Sequence, residues 1–460
     1  MNEQEQKMKN QILEENFSDI SVADYFAQMN NNSLVYNRDT NRFYRWNQQY
    51  WEETDRNRVK RDLIFCLRCL KEDPIFSYTP SANALKKLLN DSKIENILQS
   101  FLTVEGISKK NEEFDLGKSV INCKNGIFDI ETGHLMKHWK DLYITKYTDC
   151  EYISDPDKAY PKKFMEFMKQ IFQNDMDLID YMLKLFGYCF TGYMNEEKFF
   201  IFYGKGSTGK SKLTEIIGTV MGDYAETAPN DIFVENSSNT TNGIIDVAQA
   251  RLGLLSETGE YERLNEPLIK QITGRDKIKA RPLYKEYFTL EPQCKLILCT
   301  NDIPHFASMG KDMRRRLRII PFRQTFSDNP GIYGLPKDPE IVSKVLEEKD
   351  KIFTFLMRYA CKWRKEKLGE TRAVTEATRD IFEDENRLSF WLENCTEENP
   401  KFFTPVADLY NSYIAHCMQN HIKPSFTNIA TFSRYLNKMD KYISTKNNDI
   451  RGFLGISLQV

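Results

Sequence analysis

The sequence predicts an α/β core of the phosphate-loop type, with a mainly helical region before it and a small helix-and-hairpin domain after it. The first indication is Phe199–Ser211, where an apolar strand runs into a glycine-rich loop. The second is residues 195–325, where apolar strand-like runs alternate with helical and turn segments, as in a parallel-sheet domain. The third is a change in the sign of the net charge near the end of the chain. Residues 371–400 carry a net charge of −5 and residues 401–460 carry +4, which indicates a boundary near 395–400.

The glycine-rich loop is the most specific motif in the chain. Phe199–Tyr203 is typical of a buried strand, and Leu213–Val220 begins a helix. The loop between them fits the pattern G-x-x-x-x-G-K-S/T without a mismatch, through Gly204, Lys205, Gly206, Ser207, Thr208, Gly209, Lys210 and Ser211. Such loops wrap phosphates with backbone N–H groups, so Lys210 is expected to hold the β- and γ-phosphates and Ser211 a Mg²⁺ ion. A plain surface turn is the alternative, and the flanking strand and helix argue against it.

The other groups that ATP hydrolysis requires follow in order. Glu257 ends an apolar strand-like run, and Asn301 directly follows the apolar run Lys295–Thr300. The segment from Arg314 to Arg318 precedes the next strand. Each feature alone also fits a loop start or a solvated face. Together they predict ATP as the ligand, Ser211 as a Mg²⁺ ligand, and a catalytic set made of Lys210, Glu257, Asn301 and an arginine of the segment from Arg314 to Arg318.

The composition is that of a globular protein, with 41% hydrophobic and 28% charged residues. The net charge is only −2, so binding to nucleic acid would depend on local patches. The polar start of the chain and the lack of a run of about 18 apolar residues predict neither a signal peptide nor a membrane span, and hence a cytoplasmic protein. We expect reduced, packed thiols, at Cys66 and Cys69 as elsewhere, and a solvated pair at His134 and His138 rather than metal sites.

Residues 1–20 are expected to be a flexible polar lead, followed by a small domain. Its aromatic hairpin contains Arg42, Arg45, Trp46 and Trp51, for which we favour cross-strand packing over stacking on bases. Further along the chain we predict a basic amphipathic helix over Arg56–Glu72, one or two helices over Ala82–Leu102, a hairpin over Ile121–Ile130 with a type I′ turn at Asn125-Gly126, and helices over Lys162–Gln173 and Met176–Phe190.

The last 60 residues predict two helices, Phe403–Asn420 and Asn428–Met439, and then a basic hairpin around Asn447-Asn448. Helices followed by such a hairpin resemble a winged helix. DNA contacts would come from Arg434, Lys438, Lys446 and Arg451. The alternative is a packing domain without a DNA-binding role.

Taken as a set, these motifs resemble the helicase domain of phage, plasmid and poxvirus primase-helicases, a group within helicase superfamily III with AAA+-like cores. The resemblance rests on the phosphate loop, the segment LSETGE, Leu268–Asp276, the strand ending at Asn301 and the segment RRRLRIIPF. The upstream segment INCKNGIFDIETGHL and the helices up to Gly192 resemble the domain that precedes the helicase. The similarity covers about residues 115–325, and no primase carboxylate set is evident before it.

The resemblance implies a ring, usually a hexamer, with ATP bound between subunits and Arg315 or Arg316 reaching the neighbour's site. The hairpin between Asp276 and Lys295 would point into a central channel, with Lys279, Arg281 and Lys285 touching one DNA strand. Residues 265–325 carry a net charge of +7, in keeping with that role. Two positions depart from the pattern. Ser256 stands where phosphate-loop enzymes often carry Asp, so Mg²⁺ would be held by Ser211, Glu257 and water, with Glu260 as a candidate additional ligand. Arg275 stands where a second glycine is usual.

The predicted divisions are a lead over 1–20, an accessory domain over 21–112, a helicase-associated domain over 113–194, a superfamily III ATPase domain over 195–330, a helical connector over 331–398 and a winged-helix-like domain over 399–460. The predicted function is ATP-dependent unwinding of DNA in the replication of a virus, phage or mobile element, with a separate primase or polymerase as a possible partner. Two alternatives stay open. One is an initiator that binds origin duplex and uses ATP for assembly, and the other is an ATPase acting on RNA or protein.

Overall fold

The computed structural model describes residues 3–30, 32–76, 78–228, 232–233, 241–256, 264–280, 288–303, 311–331, 334–420, 424, 426, 428–437, 441–447 and 449–459. It is a mixed α/β structure, as the sequence predicts, and its largest sheet is parallel.

The amino-terminal region packs five helices against a small sheet with strand order β3-β2-β1-β4. Its core joins Phe26, Leu63 and Phe101, which are almost completely buried. The elements are α1 (Glu3–Glu14), α2 (Asp19–Met29), β1 (Leu34–Asn37), β2 (Arg42–Trp46), β3 (Trp51–Thr54), α3 (Arg56–Glu72), α4 (Thr79–Leu88), α5 (Asp91–Phe101) and β4 (Ser108–Lys109).

The expected flexible lead is wrong over most of its length, because residues 3–14 form helix α1. Ile12 is fully buried in the amino-terminal core, and Lys9 pairs with Glu5 and Asp73 at 2.6 and 2.9 Å. The polar composition concealed the helical spacing of Met8, Ile12 and Leu13, which all pack against the core. The aromatic hairpin is confirmed as a packing unit. Trp51 is 1% exposed and lies across from Trp46 with ring centroids 5.9 Å apart.

A three-stranded antiparallel sheet and two helices follow, and they lead to the central sheet. The predicted turn at Asn125-Gly126 is wrong by one residue. Cys123 pairs with Gly126, so the hairpin turns at Lys124 and Asn125. Gly126 instead makes a close strand contact, because a Cβ there would lie 2.3 Å from the Met136 carbonyl oxygen. The elements are β5 (Val120–Cys123), β6 (Gly126–Asp129), β7 (His134–Met136), α6 (Lys162–Ile171) and α7 (Met176–Cys189).

The central sheet has five parallel strands in the order β14-β8-β13-β10-β9. Both faces are covered by apolar side chains, which explains why its strands are nearly continuous apolar runs. Its elements, with the short hairpin β11–β12, are β8 (Phe199–Tyr203), α8 (Lys210–Met221), β9 (Ala225–Thr227), α9 (Thr241–Gln249), β10 (Leu252–Leu255), α10 (Glu266–Thr273), β11 (Ile278–Ala280), β12 (Phe288–Leu290), β13 (Lys295–Thr300), α11 (Lys311–Arg316) and β14 (Leu317–Pro321).

Helices after the sheet return to cover it. Helix α13 crosses α7 so closely that a Cβ on Gly187 would lie 2.5 Å from the Ala360 nitrogen. Helix α14 packs beside β14, where the Ile319 N–H donates to the Thr378 hydroxyl at 2.9 Å. The elements are β15 (Phe326–Ser327), β16 (Leu335–Pro336), α12 (Ile341–Leu346), α13 (Lys349–Glu366) and α14 (Arg372–Cys395).

The carboxyl-terminal region is a three-stranded sheet, ordered β17-β19-β18, packed against two helices of its own and against the end of α14, which contributes Leu388 and Trp391. The helix predicted from Phe403 starts only at Val406, because residues 396–405 form a strand paired with the last strand. That strand has Pro400, an irregular register and no apolar alternation, so its pairing across 50 residues left no local signal. The elements are β17 (Thr396–Pro405), α15 (Val406–Gln419), α16 (Ile429–Asn437), β18 (Ile443–Asn447) and β19 (Ile450–Leu458).

The cysteine and histidine expectations hold in part. All ten cysteines are free thiols, and Cys69 is exposed rather than packed. His134 is exposed as expected, whereas His138 is half-buried and its Nδ1 lies 2.9 Å from the Asn122 side-chain oxygen. No helix in the described part of the chain is both long and apolar enough to cross a bilayer.

Candidate functional site

The glycine-rich loop lies between the carboxyl end of β8 and the amino end of α8. Two of its residues, Ser207 and Gly209, have positive φ values of 58° and 88°, which let the chain double back before α8. A Cβ on Gly204 would lie 2.3 Å from the carbonyl oxygen of Phe322, so only glycine fits there. The loop is thus a tight turn built against β14, with the amino end of a 12-residue helix behind it.

Lys210 is folded into this loop. Its Nζ donates to the carbonyl oxygens of Gly204 and Lys205 at 2.6 and 3.1 Å, and to the Thr208 hydroxyl at 3.2 Å. It also donates to the side-chain oxygen of Asn301 at 2.9 Å. These four acceptors are neutral oxygens. An anionic phosphate oxygen would form a stronger, charge-assisted hydrogen bond with the same ammonium group.

A cavity of about 630 Å³ opens beside the loop, within the size range of small-molecule sites. Its polar lining includes Ser211, Ser256 and Asn301. Its apolar lining includes Phe326 and Ile341. The cavity is also lined by Phe167, Gln170, Gly206, Ser207, Thr208, Gly209, Lys210, Lys212, Cys299, Pro336, Lys337, Asp338 and Pro339. Sequence reasoning missed the apolar lining, because its residues come from separate segments without a shared motif.

Two of the predicted acidic residues, Glu257 and Glu260, lie outside the described residues. The structure describes Ser256, which follows the carboxyl end of β10 and lines the cavity. The ends of β8, β10 and β13 therefore converge on one site, as expected for parallel strands.

The two candidate finger arginines lie near the amino ends of the sheet strands, whereas the loop lies at the carboxyl ends. Leu317 pairs with Phe199 and Pro321 with Tyr203, so Arg315 and Arg316 precede the amino end of β14. The length of the strand alone separates these two ends by about 13 Å. Neither arginine is positioned to reach the loop of its own chain.

The two arginines differ in their surroundings. The Arg315 side chain is 61% exposed, whereas that of Arg316 is 11% exposed and donates to the Thr273 hydroxyl at 3.4 Å. One carboxylate, Glu197, lies 3.5–3.8 Å from the guanidinium groups of Arg275, Arg315 and Arg316. The adjacent Lys198 donates to the Arg315 carbonyl oxygen at 2.8 Å, and burial lowers the pKa of Lys198. Sequence reasoning missed Glu197, although an acid two residues before the strand that leads into the loop was visible.

Two buried cations fix the amino ends of β10 and β13 to the preceding region. Arg251 donates to the carbonyl oxygens of Gly117, Val120 and Phe190 at 2.6–2.8 Å. Lys295 donates to those of Thr191 and Gln293. Burial lowers the pKa of both, that of Lys295 from 10.5 to about 7. In the sequence, these two residues are recognisable only as a basic residue at the start of an apolar strand.

The predicted DNA-binding residues are only partly described. Lys279 is exposed on β11, while Arg281, Lys285 and Lys438 lie outside the described residues. Arg434 is exposed on α16. In the terminal hairpin, Lys446 lies directly opposite Arg451, and both are exposed. Like charges facing each other across a strand pair are destabilising unless an anion lies between them.

Comparison with known families gives two matches along the chain. Residues 23–173 match the family described as "D5 N terminal like". Residues 202–316, which include the loop, Asn301 and both candidate finger arginines, match a family of unknown function, DUF5906.

Curated relatives come from large DNA viruses. A protein named "Putative helicase" from Acanthamoeba polyphaga mimivirus is 29% identical over 71% of this chain and 36% of its own length. Another "Putative helicase", from Invertebrate iridescent virus 6, is 26% identical over 64% of the chain and 31% of its length. A "Putative primase" from African swine fever virus (strain Badajoz 1971 Vero-adapted) is 21% identical over 63% and 31%. The chain spans about a third of the length of these relatives.

Among solved structures, the C-terminal region of NrS-1 aligns with 92% of this chain and 96% of that one, at a TM-score of 0.45 and 10% identity. The family matches and the viral relatives agree with the resemblance seen in the sequence motifs. Together these matches support a relationship of this chain to phage and viral primase-helicases.

Proposed function

We propose that this chain is an ATP-dependent DNA helicase that serves replication of a virus, phage or mobile element. Its relatives carry the names helicase and primase, which supports a role in replication at that broader level. The finer assignment rests on the residues of the site.

The observation that carries the proposal is the meeting of Lys210 and Asn301 in one cavity beside the glycine-rich loop. In our proposal Lys210 holds the β- and γ-phosphates of ATP, and Asn301 orients the attacking water. Ser211 lines the same cavity, so its hydroxyl fits a Mg²⁺ ligand, with Glu257 as the second. Bound Mg²⁺ would neutralise charge on the phosphates.

A complete site needs a second copy of the chain. Phosphoryl transfer usually requires an arginine that stabilises the transition state. Arg315 and Arg316 lie near the amino ends of the strands of their own sheet, away from the loop. We propose Arg315 as the finger because its side chain is exposed. Arg316, buried against Thr273, would position it. This arrangement favours a ring of AAA+-like cores, with a hexamer as our proposed size.

The proposed DNA contacts lie on two surfaces. Lys279, which is exposed on β11, would touch a single strand in the channel of the ring. Lys446 and Arg451 form no ion pair with the described residues, which supports a phosphate contact by the terminal hairpin and so a winged-helix-like role for that region. A separate primase or polymerase would supply synthesis.

Strand-displacement and ATPase assays on purified full chains test the proposal. Lys210→Ala should abolish both activities, whereas Lys349→Ala, which removes an exposed ion pair with Asp149, should change neither. Lys279→Ala should retain ATP hydrolysis and lose displacement. Displacement that survives Lys210→Ala would overturn the helicase assignment. Hydrolysis without displacement by the unaltered chain, with selective protection of the element's origin duplex, would favour the initiator instead.

A further inference from the structure

Helix α3 of the amino-terminal region has an exposed face that its own domain does not use. Val59, Leu63, Leu67 and Leu70 point into the core and are buried. On the opposite side Arg58, Arg61, Phe65 and Arg68 follow one another at intervals of three or four residues and are all exposed. That spacing aligns the four side chains along one face over about 15 Å. We name these four residues the α3 stripe. Glu72 ends the same face at the last turn.

The positive charge of the α3 stripe is not neutralised within the described part of the chain. On a neighbouring flank of the helix, Arg56 and Lys60 pair with Glu95 at 2.7 and 3.2 Å. Asp62, the nearest carboxylate in sequence, is taken by Arg45. No carboxylate of the described residues lies within 4.0 Å of a nitrogen of Arg58, Arg61 or Arg68.

Phe65 lies in the middle of these arginines and is 69% exposed. Among the exposed large hydrophobic residues of the described chain, no side chain is more exposed. An aromatic ring held in water between cations has no packing role in its own domain. It offers a flat apolar surface next to groups that attract phosphate.

We propose that the α3 stripe binds single-stranded DNA, with Phe65 stacking on a base and the arginines contacting the phosphates on either side. An acidic protein segment would satisfy the arginines but would not require a ring between them. A duplex would offer phosphates but no free base face. This DNA contact lies in the amino-terminal region and does not require bound ATP, so it goes beyond the proposed ATPase activity.

Cys69 provides a local probe, because it is the one exposed cysteine of the ten and directly follows Arg68. Trypsin cleaves after Arg68, so Cys69 and Cys66 fall on different peptides and their alkylation can be measured separately. Saturating oligo(dT) should slow alkylation of Cys69 in the full chain without ATP, while alkylation of Cys361 should not change. Equal rates at Cys69 with and without oligo(dT) would overturn the proposal.

Binding titrations against salt give the second test. The triple variant Arg58→Ala, Arg61→Ala, Arg68→Ala should flatten the slope of log K against log salt by about 2. Phe65→Ala should weaken binding roughly five- to hundredfold and leave the slope unchanged. The control is the double variant Arg56→Ala, Lys60→Ala on the paired flank, which should bind like the unaltered chain. Equal losses in the triple variant and the control would contradict a specific stripe.

The test separates this proposal from the helicase assignment. Lys210→Ala, in which the ATPase should fail, should keep full protection of Cys69. The triple variant should keep its ATP hydrolysis measured without DNA. Its melting temperature should also stay close to that of the unaltered chain, because the substituted side chains are exposed.

Discussion

The Nζ of Lys210 donates a hydrogen bond to the side-chain oxygen of Asn301 at 2.9 Å. The two residues lie 91 positions apart, one at the start of α8 and the other just past the end of β13. In this arrangement the lysine is bound by the residue expected to sense the γ-phosphate. Nucleotide must therefore compete with Asn301 for the ammonium group.

Substitutions at Asn301 should separate binding from chemistry. Asn301→Ala removes a neutral acceptor, so nucleotide should bind at least as well, while kcat should fall about 10²–10³-fold if the side chain orients the water. Asn301→Asp should instead weaken nucleotide binding about tenfold or more, because an anion would hold the lysine. Binding titrations and steady-state kinetics measure the two effects. Unchanged kcat in both variants would remove Asn301 from the mechanism.

Two glycines of the loop should respond differently to the same change. Gly204→Ala would bring a Cβ to 2.3 Å from a backbone oxygen, whereas a Cβ at Gly206 meets nothing within 4 Å. We expect Gly204→Ala to lower the free energy of unfolding by about 1–3 kcal/mol and Gly206→Ala to leave it nearly unchanged. Thermal melts without ligand measure both. A Gly206→Ala loss as large as that of Gly204→Ala would contradict the observed packing.

Burial of Lys295 should make stability depend on pH. Its pKa is lowered from 10.5 to about 7 in the folded chain, so between these values the unfolded chain binds more protons. Stability should therefore rise as the pH increases from about 7 to 10. Lys295→Met should lack this rise, and Lys349→Met should keep it. Melting temperatures of the three proteins at pH 7 and pH 9 provide the measurement, and identical shifts in all three would refute the prediction.

The cation pair of the terminal hairpin should contribute to binding of duplex DNA. Lys446→Ala and Arg451→Ala should each lower the salt slope by about 0.9 and weaken binding. Each should also leave the hairpin as stable or slightly more stable, because a like-charge pair is removed. Fluorescence anisotropy across a salt series checks the first effect and thermal melts the second. Unchanged slopes would favour the packing role instead.

The elements predicted correctly are those whose signal is local. Phe199–Tyr203, Lys295–Thr300 and Arg56–Glu72 have the predicted bounds, since an apolar run or a helical period is written within each segment. The loop carries its own glycines, so Lys210 and Ser211 could be located from spacing alone.

The features that were missed depend on contacts between distant residues. Thr396–Pro405 becomes a strand only because the last strand pairs with it. Arg251 and Lys295 acquire their partners from segments more than 60 residues away, apart from the Gln293 carbonyl. Glu197 meets three arginines that converge only in the folded chain. Such residues could be found in the sequence as charges at strand ends, but their roles could not.

The central claim is that each ATP site combines Lys210 of one chain with Arg315 of another. Mixing two inactive variants, Lys210→Ala and Arg315→Ala, tests it directly by ATPase rate. At equal amounts, random assembly should give about a quarter of the interfaces both intact residues, and so restore about a quarter of the unaltered rate. If both residues served the same chain, the mixture would stay as inactive as its components, and that result would contradict the account.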